Sequence, residues 1–125
     1  MLRVEIPGLG VREWEYLVLD VNGTLTTDGK LLPGVAERLR VLTGRLTIRL
    51  LTSDTRGTAA ALAEELGLEL TRTQPSPVAA EVPDNGGEAG QKAAYVGALG
   101  GERVIAIGNG NNDVRMLAAA GLGIV

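Results

Sequence analysis

This chain of 125 residues must do its chemistry without imidazole or thiolate, because it contains no histidine and no cysteine. That removes Ser-His-Asp and Cys-His catalysis, histidine-ligated metals, thiolate zinc sites and disulfides. Carboxylates, lysine, hydroxyls, amides and a hard, oxygen-liking cation remain. Four segments concentrate such groups. Asp20-Val21-Asn22-Gly23-Thr24-Leu25 puts an acid at the end of an apolar run and leads it into a glycine turn. There the carboxylate is exposed at a rim and backbone N–H groups can form a nest for phosphate oxygens. The plainer role for Asp20 is to end a strand and cap its turn, since Asp-x-x-Gly is common.

The second segment is Leu51-Thr52-Ser53-Asp54-Thr55, in which Thr52 can offer a hydroxyl to phosphate while Asp54 or Thr55 caps a helix. The third is Lys92, placed by the periodicity in the first turn of a helix over about 91–99. A cation is unfavourable there, which an anionic ligand would explain; the competing role is a solvated lysine. The fourth is Ile107-Gly108-Asn109-Gly110-Asn111-Asn112-Asp113, whose dense oxygen ligands suit Mg²⁺ and exceed what helix capping requires.

The intervening patterns are what must position these groups. Leu2–Ile6 and Val11–Trp14 flank a Pro7-Gly8-Leu9-Gly10 turn and predict a hairpin. Tyr16–Leu19 is continuously apolar, as a central parallel strand buried on both faces requires. Gly23 and Asp28-Gly29 mark turns, and a helix then runs from Pro33-Gly34 to Gly44. Further strands are predicted at 46–52, 68–71, 104–107 and 122–125, with helices at about 59–66 and 112–120 and a long Pro/Gly-rich loop over 73–90. Alternating strands and helices predict one α/β domain over 1–125, a Rossmann-like three-layer sandwich with a mainly parallel five-stranded sheet. Ligands in such sheets bind at the carboxyl ends of the strands, where three of the four segments begin.

Composition narrows the partners. The core must be aliphatic, with one Trp, two Tyr and no Phe, and the net charge is −3. A basic face and stacking platforms for nucleic acid are both lacking. No apolar run approaches membrane-spanning length and the first ten residues lack a signal pattern, so the expected location is cytoplasmic, with no membrane partner.

In order, the four segments resemble the motifs of the haloacid dehalogenase superfamily, and especially the soluble phosphorylation domain of P-type ATPases. DVNGTLT is similar to the first motif, LLTSDT to the second, Lys92 to the third and GNGNND to the fourth; LLTSDTRGTAAALAEELGL also resembles the ATPase helix after the second motif. The resemblance spans 16–125 and implies that Asp20 attacks phosphorus to form an aspartyl-phosphate. It implies that Thr52 and Lys92 hold the phosphoryl oxygens, and that Gly23, Thr24, Ser53 and Asn112 lie against the substrate. It also implies Mg²⁺ as cofactor, held by Asp20, the Asn22 carbonyl and Asn109, with Asp113 fixing the metal's waters or the loop around them.

Two positions depart from the phosphatases of that superfamily. Asn22 stands where they carry the general acid and base, and an amide cannot transfer a proton. Asn109 stands where relatives have a metal-binding Asp. The expected enzyme is therefore a phosphatase or phosphotransferase slow on simple monoesters, acting on acyl phosphates or other phosphorylated small molecules with good leaving groups. The alternative is a catalytically impaired phosphate- or Mg²⁺-binding regulatory module. A receiver-type signalling domain is disfavoured because its acceptor Asp follows the third strand, and a dinucleotide site because no G-x-G-x-x-G follows the first. The short intervals between motifs predict no cap domain, so specificity falls to a large substrate, a partner or a homo-oligomer. Relatives usually continue beyond the equivalent of Val125, which allows for a C-terminal truncation.

Overall fold

The computed structural model describes residues 1–21, 23–27, 30–52, 57–73, 88–109 and 113–125. Its centre is strand β3 (Tyr16–Asp20), whose side chains alternate between two apolar clusters. Leu17 and Leu19 point into one, Val18 into the other. The neighbouring strands repeat the pattern. Ile48 and Leu50 of β6 (Thr47–Thr52) and Ile105 of β8 (Val104–Ile107) join the first cluster; Leu51, Val104 and Ala106 join the second. Burial on both faces is what a continuously apolar parallel strand requires.

Helices cover each face. Leu39 of α1 (Val35–Leu42) and Ala59, Leu62 and Ala63 of α2 (Thr58–Leu66) close the first cluster. Val96 of α3 (Glu88–Ala98) and Met116 of α4 (Val114–Ala119) close the second. The result is the predicted Rossmann-like three-layer α/β sandwich. With β7 (Glu69–Arg72) and β9 (Leu122–Ile124), the described residues form a five-stranded sheet of order β7-β6-β3-β8-β9. Every neighbouring pair is parallel. The predicted N-terminal hairpin is present as β1 (Leu2–Ile6) and β2 (Gly10–Trp14), paired antiparallel.

The strand order places the site. From β3 the chain steps outward to β6 and β7, then crosses back to β8 on the other side of β3. Loops leaving β3 and β8 therefore diverge, and the crevice between their carboxyl ends is the switch point where such sheets bind ligands. Asp20 ends β3, and Gly108-Asn109 follow β8.

Three details differ from expectation. The segment after the first motif was expected to hold only turns, but contains two short antiparallel strands, β4 (Thr26–Thr27) and β5 (Lys30–Leu31). Two-residue strands carry no periodicity to detect. Between β3 and β6 the described residues otherwise hold one helix, with no cap domain. Second, α3 begins at Glu88, so Lys92 lies in its second turn and not its first. The dipole argument for an anion beside Lys92 therefore lapses, because the unfavourable effect is confined to the terminal turn. Third, most of the predicted loop over 73–90 lies outside the described residues, but its last part is helical.

Candidate active site

Alternation along β3 gives Asp20 the parity of Val18, so its carboxylate faces the layer built by α3 and α4. Lys92 lies one helical turn before Val96, which is fully buried in that layer, and so points at the same face. Asp113 likewise precedes buried Met116 by one turn. The three side chains converge. Lys92 Nζ donates to Asp20 Oδ1 at 3.1 Å and to Asp113 Oδ1 at 2.8 Å. Asp20 is 7% exposed, Lys92 1% and Asp113 0%.

Asp113 also ties down the loop after β8. Its Oδ2 accepts from the Asn109 backbone N–H at 3.1 Å. Gly108 allows this approach, since a Cβ there would lie 2.7 Å from the Asp113 carboxylate. Gly23 does the same for the first motif: its φ is +76°, and a side chain at that position would collide with the Asn109 amide. The two loops thus meet through Gly23 and Asn109.

The turn after Asp20 is closed by its own backbone. Thr24 and Leu25 donate their N–H groups to the Val21 carbonyl at 3.3 and 3.0 Å. These two donors serve the turn, which reduces the anion nest expected from the sequence. Among the described residues the Thr24 hydroxyl is left buried without a hydrogen-bond partner. Such a group is uncommon in a folded protein and marks a place for a ligand oxygen or water.

Thr52 ends β6 on the strand beside Asp20 and is 1% exposed. Its carbonyl accepts from the Thr73 N–H at 2.8 Å and the Thr73 hydroxyl at 3.4 Å. Thr73 positions the end of β6, a role the sequence did not suggest because the residue opens a loop with no periodic signal. Asn22, Ser53 and Asn112, also predicted site residues, lie outside the described residues.

The electrostatics follow from burial. Loss of water is the main force raising the Asp20 pKa from 3.8 to about 6, with the neighbouring Asp113 charge adding and Lys92 opposing. For Lys92, burial acts to lower the pKa, but its bonds to Asp113 and Asp20 outweigh it and hold the ammonium above 10.5. Two buried carboxylates flank one ammonium. Two buried carboxylates, an amide oxygen at Asn109 and the buried Thr24 hydroxyl are hard donors, and they fit a cation of the Mg²⁺ type.

A raised carboxylate pKa favours folding below the unfolded value and loses that contribution as pH rises. Between pH 3.8 and about 6 the folded state keeps a proton on Asp20 that the unfolded state has released. In metal-free protein, the stability of Asp20→Asn relative to wild type should therefore improve by about 2 kcal/mol between pH 4 and 7.5. Denaturant unfolding of both proteins across that range checks it, and a pH-independent difference would refute the raised pKa.

A family model of haloacid dehalogenase-like hydrolases matches residues 10–121. The chain belongs to that family. A probable copper-transporting ATPase of Synechococcus elongatus is 39% identical to this haloacid dehalogenase-like chain over 95 residues, or 74% of the chain. The match spans only 11% of the ATPase. An uncharacterized protein of Methanocaldococcus jannaschii is 51% identical over 39 residues, 31% of this chain and 89% of that protein. Among solved structures, a phosphoserine phosphatase in a form described as a phospho-aspartyl intermediate analogue shares the fold, with a TM-score of 0.70 at 12% identity. That likeness covers 90% of this chain and 86% of the phosphatase. No described helix is long and apolar enough to cross a membrane.

Proposed function

We propose that this chain is an Mg²⁺-dependent phosphatase or phosphotransferase that works through an aspartyl-phosphate on Asp20. The observation that supports it most is the buried Lys92 bridging Asp20 and Asp113 at the carboxyl end of the sheet. Family membership and the likeness to a phosphatase captured as a phospho-aspartyl analogue point the same way.

In this reading Lys92 holds Oδ1 of Asp20 and orients the carboxylate so that Oδ2 attacks phosphorus. A new Asp20 O–P bond forms as the bond to the leaving oxygen breaks, and that oxygen keeps the electron pair. The Lys92 ammonium offsets charge on the phosphoryl group, and Thr52 and Thr24 offer hydroxyls to its oxygens. Gly23, Ser53 and Asn112 would line the phosphate. Water then attacks phosphorus and restores Asp20. Asp20, the Asn22 carbonyl and Asn109 would hold Mg²⁺, with Asp113 keeping the Asn109 loop in place. When bound, the ion supplies positive charge to the phosphoryl oxygens.

Asn22 cannot protonate a leaving alkoxide or deprotonate water. Acyl phosphates and anhydrides, whose leaving groups need no proton, are the preferred substrates in this reading, and the phosphoenzyme should persist. Intact-protein mass spectrometry after incubation with Mg²⁺ and a small acyl phosphate is the direct test. The expected result is a phosphoryl adduct on wild type, lost on omitting Mg²⁺ and missing in Asp20→Asn. An equal adduct on both proteins would remove Asp20 from the mechanism. A second reading, a phosphate- or Mg²⁺-binding module without turnover, is favoured by Asn22 and Asn109 in place of carboxylates. It predicts metal binding with neither adduct nor phosphate release.

A further inference from the structure

The N-terminal hairpin β1–β2 is a sheet of its own, and among the described residues nothing pairs with the outer edge of β1. A lone two-stranded hairpin is marginal in water, and an open edge is a template for another strand. Trp14 anchors one end of the hairpin in the core, but Val4, Leu9 and Val11 remain exposed.

The order of residues along β1 suggests what completes it. Leu2-Arg3-Val4-Glu5-Ile6 is symmetric about Val4 in hydropathy and inverted in charge. Antiparallel pairing with the same strand of a second copy, centred on Val4, sets Arg3 against Glu5 twice and Leu2 against Ile6 twice. Moving the centre to Arg3 or to Glu5 opposes like charges, and parallel in-register pairing does so at both positions. A slip of one residue sends Leu2, Val4 and Ile6 of the second copy to the opposite face. Within its own hairpin Arg3 already faces Glu13. In the paired arrangement Arg3 lies between two carboxylates, Glu13 of its own chain and Glu5 of the second copy.

We propose that two copies of this chain form a twofold dimer in which their β1 strands pair antiparallel about Val4, giving one continuous four-stranded sheet. The interface is isologous, as closed twofold symmetry requires. It lies on the hairpin, so the proposal stands or falls independently of the phosphoryl chemistry.

The test uses charge reversal and native mass spectrometry or analytical ultracentrifugation of the full chain. Wild type should be dimeric, with dissociation promoted by salt as expected for exposed charge pairs. Glu5→Arg alone and Arg3→Glu alone should each weaken self-association roughly tenfold, because two symmetry-related pairs turn repulsive. Mixing the two variants should restore dimers containing one copy of each, since every pair across the interface is then of opposite sign. Glu5 faces Val11 within its hairpin, so Glu5→Arg breaks no charge pair of its own chain. Monomeric wild type at high micromolar concentration would overturn the proposal. So would variants that dimerise like wild type, or a mixture that fails to regain the dimer.

Discussion

Lys92→Met should destabilise the metal-free protein by about 3–5 kcal/mol near neutral pH, the range expected when one partner of a buried ion pair is removed. Methionine retains most of the side-chain volume, so the loss is electrostatic. Without the ammonium, two largely buried carboxylates, Asp20 and Asp113, lose the cation between them. For a domain of this size the melting temperature should fall by roughly 10–25 °C. Two further responses distinguish lost charge from lost packing. Acidification should recover part of the stability, because Lys92 opposes the rise of the Asp20 pKa and its removal lets that carboxyl take a proton at higher pH. Added Mg²⁺ should recover part as well, by returning positive charge to the carboxylates. Thermal melts at pH 5 and 8, with and without Mg²⁺, measure all three. A variant that melts within a few degrees of wild type under every condition would show that the bridge contributes little.

Asn22→Asp should raise turnover of alkyl phosphate monoesters by about 10²–10⁴-fold, the usual worth of a positioned general acid and base. The change alters one side-chain atom in a segment that already supplies Asp20 two residues earlier. In the proposed mechanism it adds a proton for the departing alkoxide and a base for the water that discharges the aspartyl-phosphate. The gain in forming the phosphoenzyme should be much smaller for acyl phosphates, whose leaving group needs no proton. The lifetime of that phosphoenzyme should shorten. Steady-state phosphate release from both substrate classes, beside the decay of the adduct by mass spectrometry, separates the two contributions. Equal gains in the rate of adduct formation on both classes would mean that the new carboxylate acts by binding metal and not by protonating the leaving group. Fast turnover of monoesters by wild type would remove the premise.

Much of this architecture is legible in the sequence because its signals are local. Leu17-Val18-Leu19 is apolar at successive positions, so it must be covered on both sides, and the structure divides these residues between two clusters. Glycines and prolines mark most element ends, and the elements occur in the expected order. Three of the four chemical segments are equally legible, since each begins where an apolar run stops and continues in polar residues; Lys92 stands alone within a helix. The elements that escape the sequence are those whose local signal is too short or masked by Gly and Pro. The β4–β5 flap has two-residue strands, and the start of α3 is hidden in a Gly/Pro-rich stretch that gave no reason to begin a helix at Glu88.

The sequence alone therefore determined the α/β class, the family resemblance and the identity of the groups available for chemistry. The tertiary structure decided who meets whom. Lys92 is separated by 72 residues from Asp20 and by 21 from Asp113, and no periodicity encodes either contact. They arise because β8 pairs beside β3, which carries α3 and α4 to the face toward which Asp20 points. Only that placement turns a lysine that reads as a surface residue into a buried ammonium between two carboxylates. It also turns Asp113 into the acceptor that holds the Asn109 loop. The physical reason is that hydrophobic patterning fixes which face of an element is buried. Strand order, set by long-range pairing, fixes which polar groups share the space at the end of the sheet.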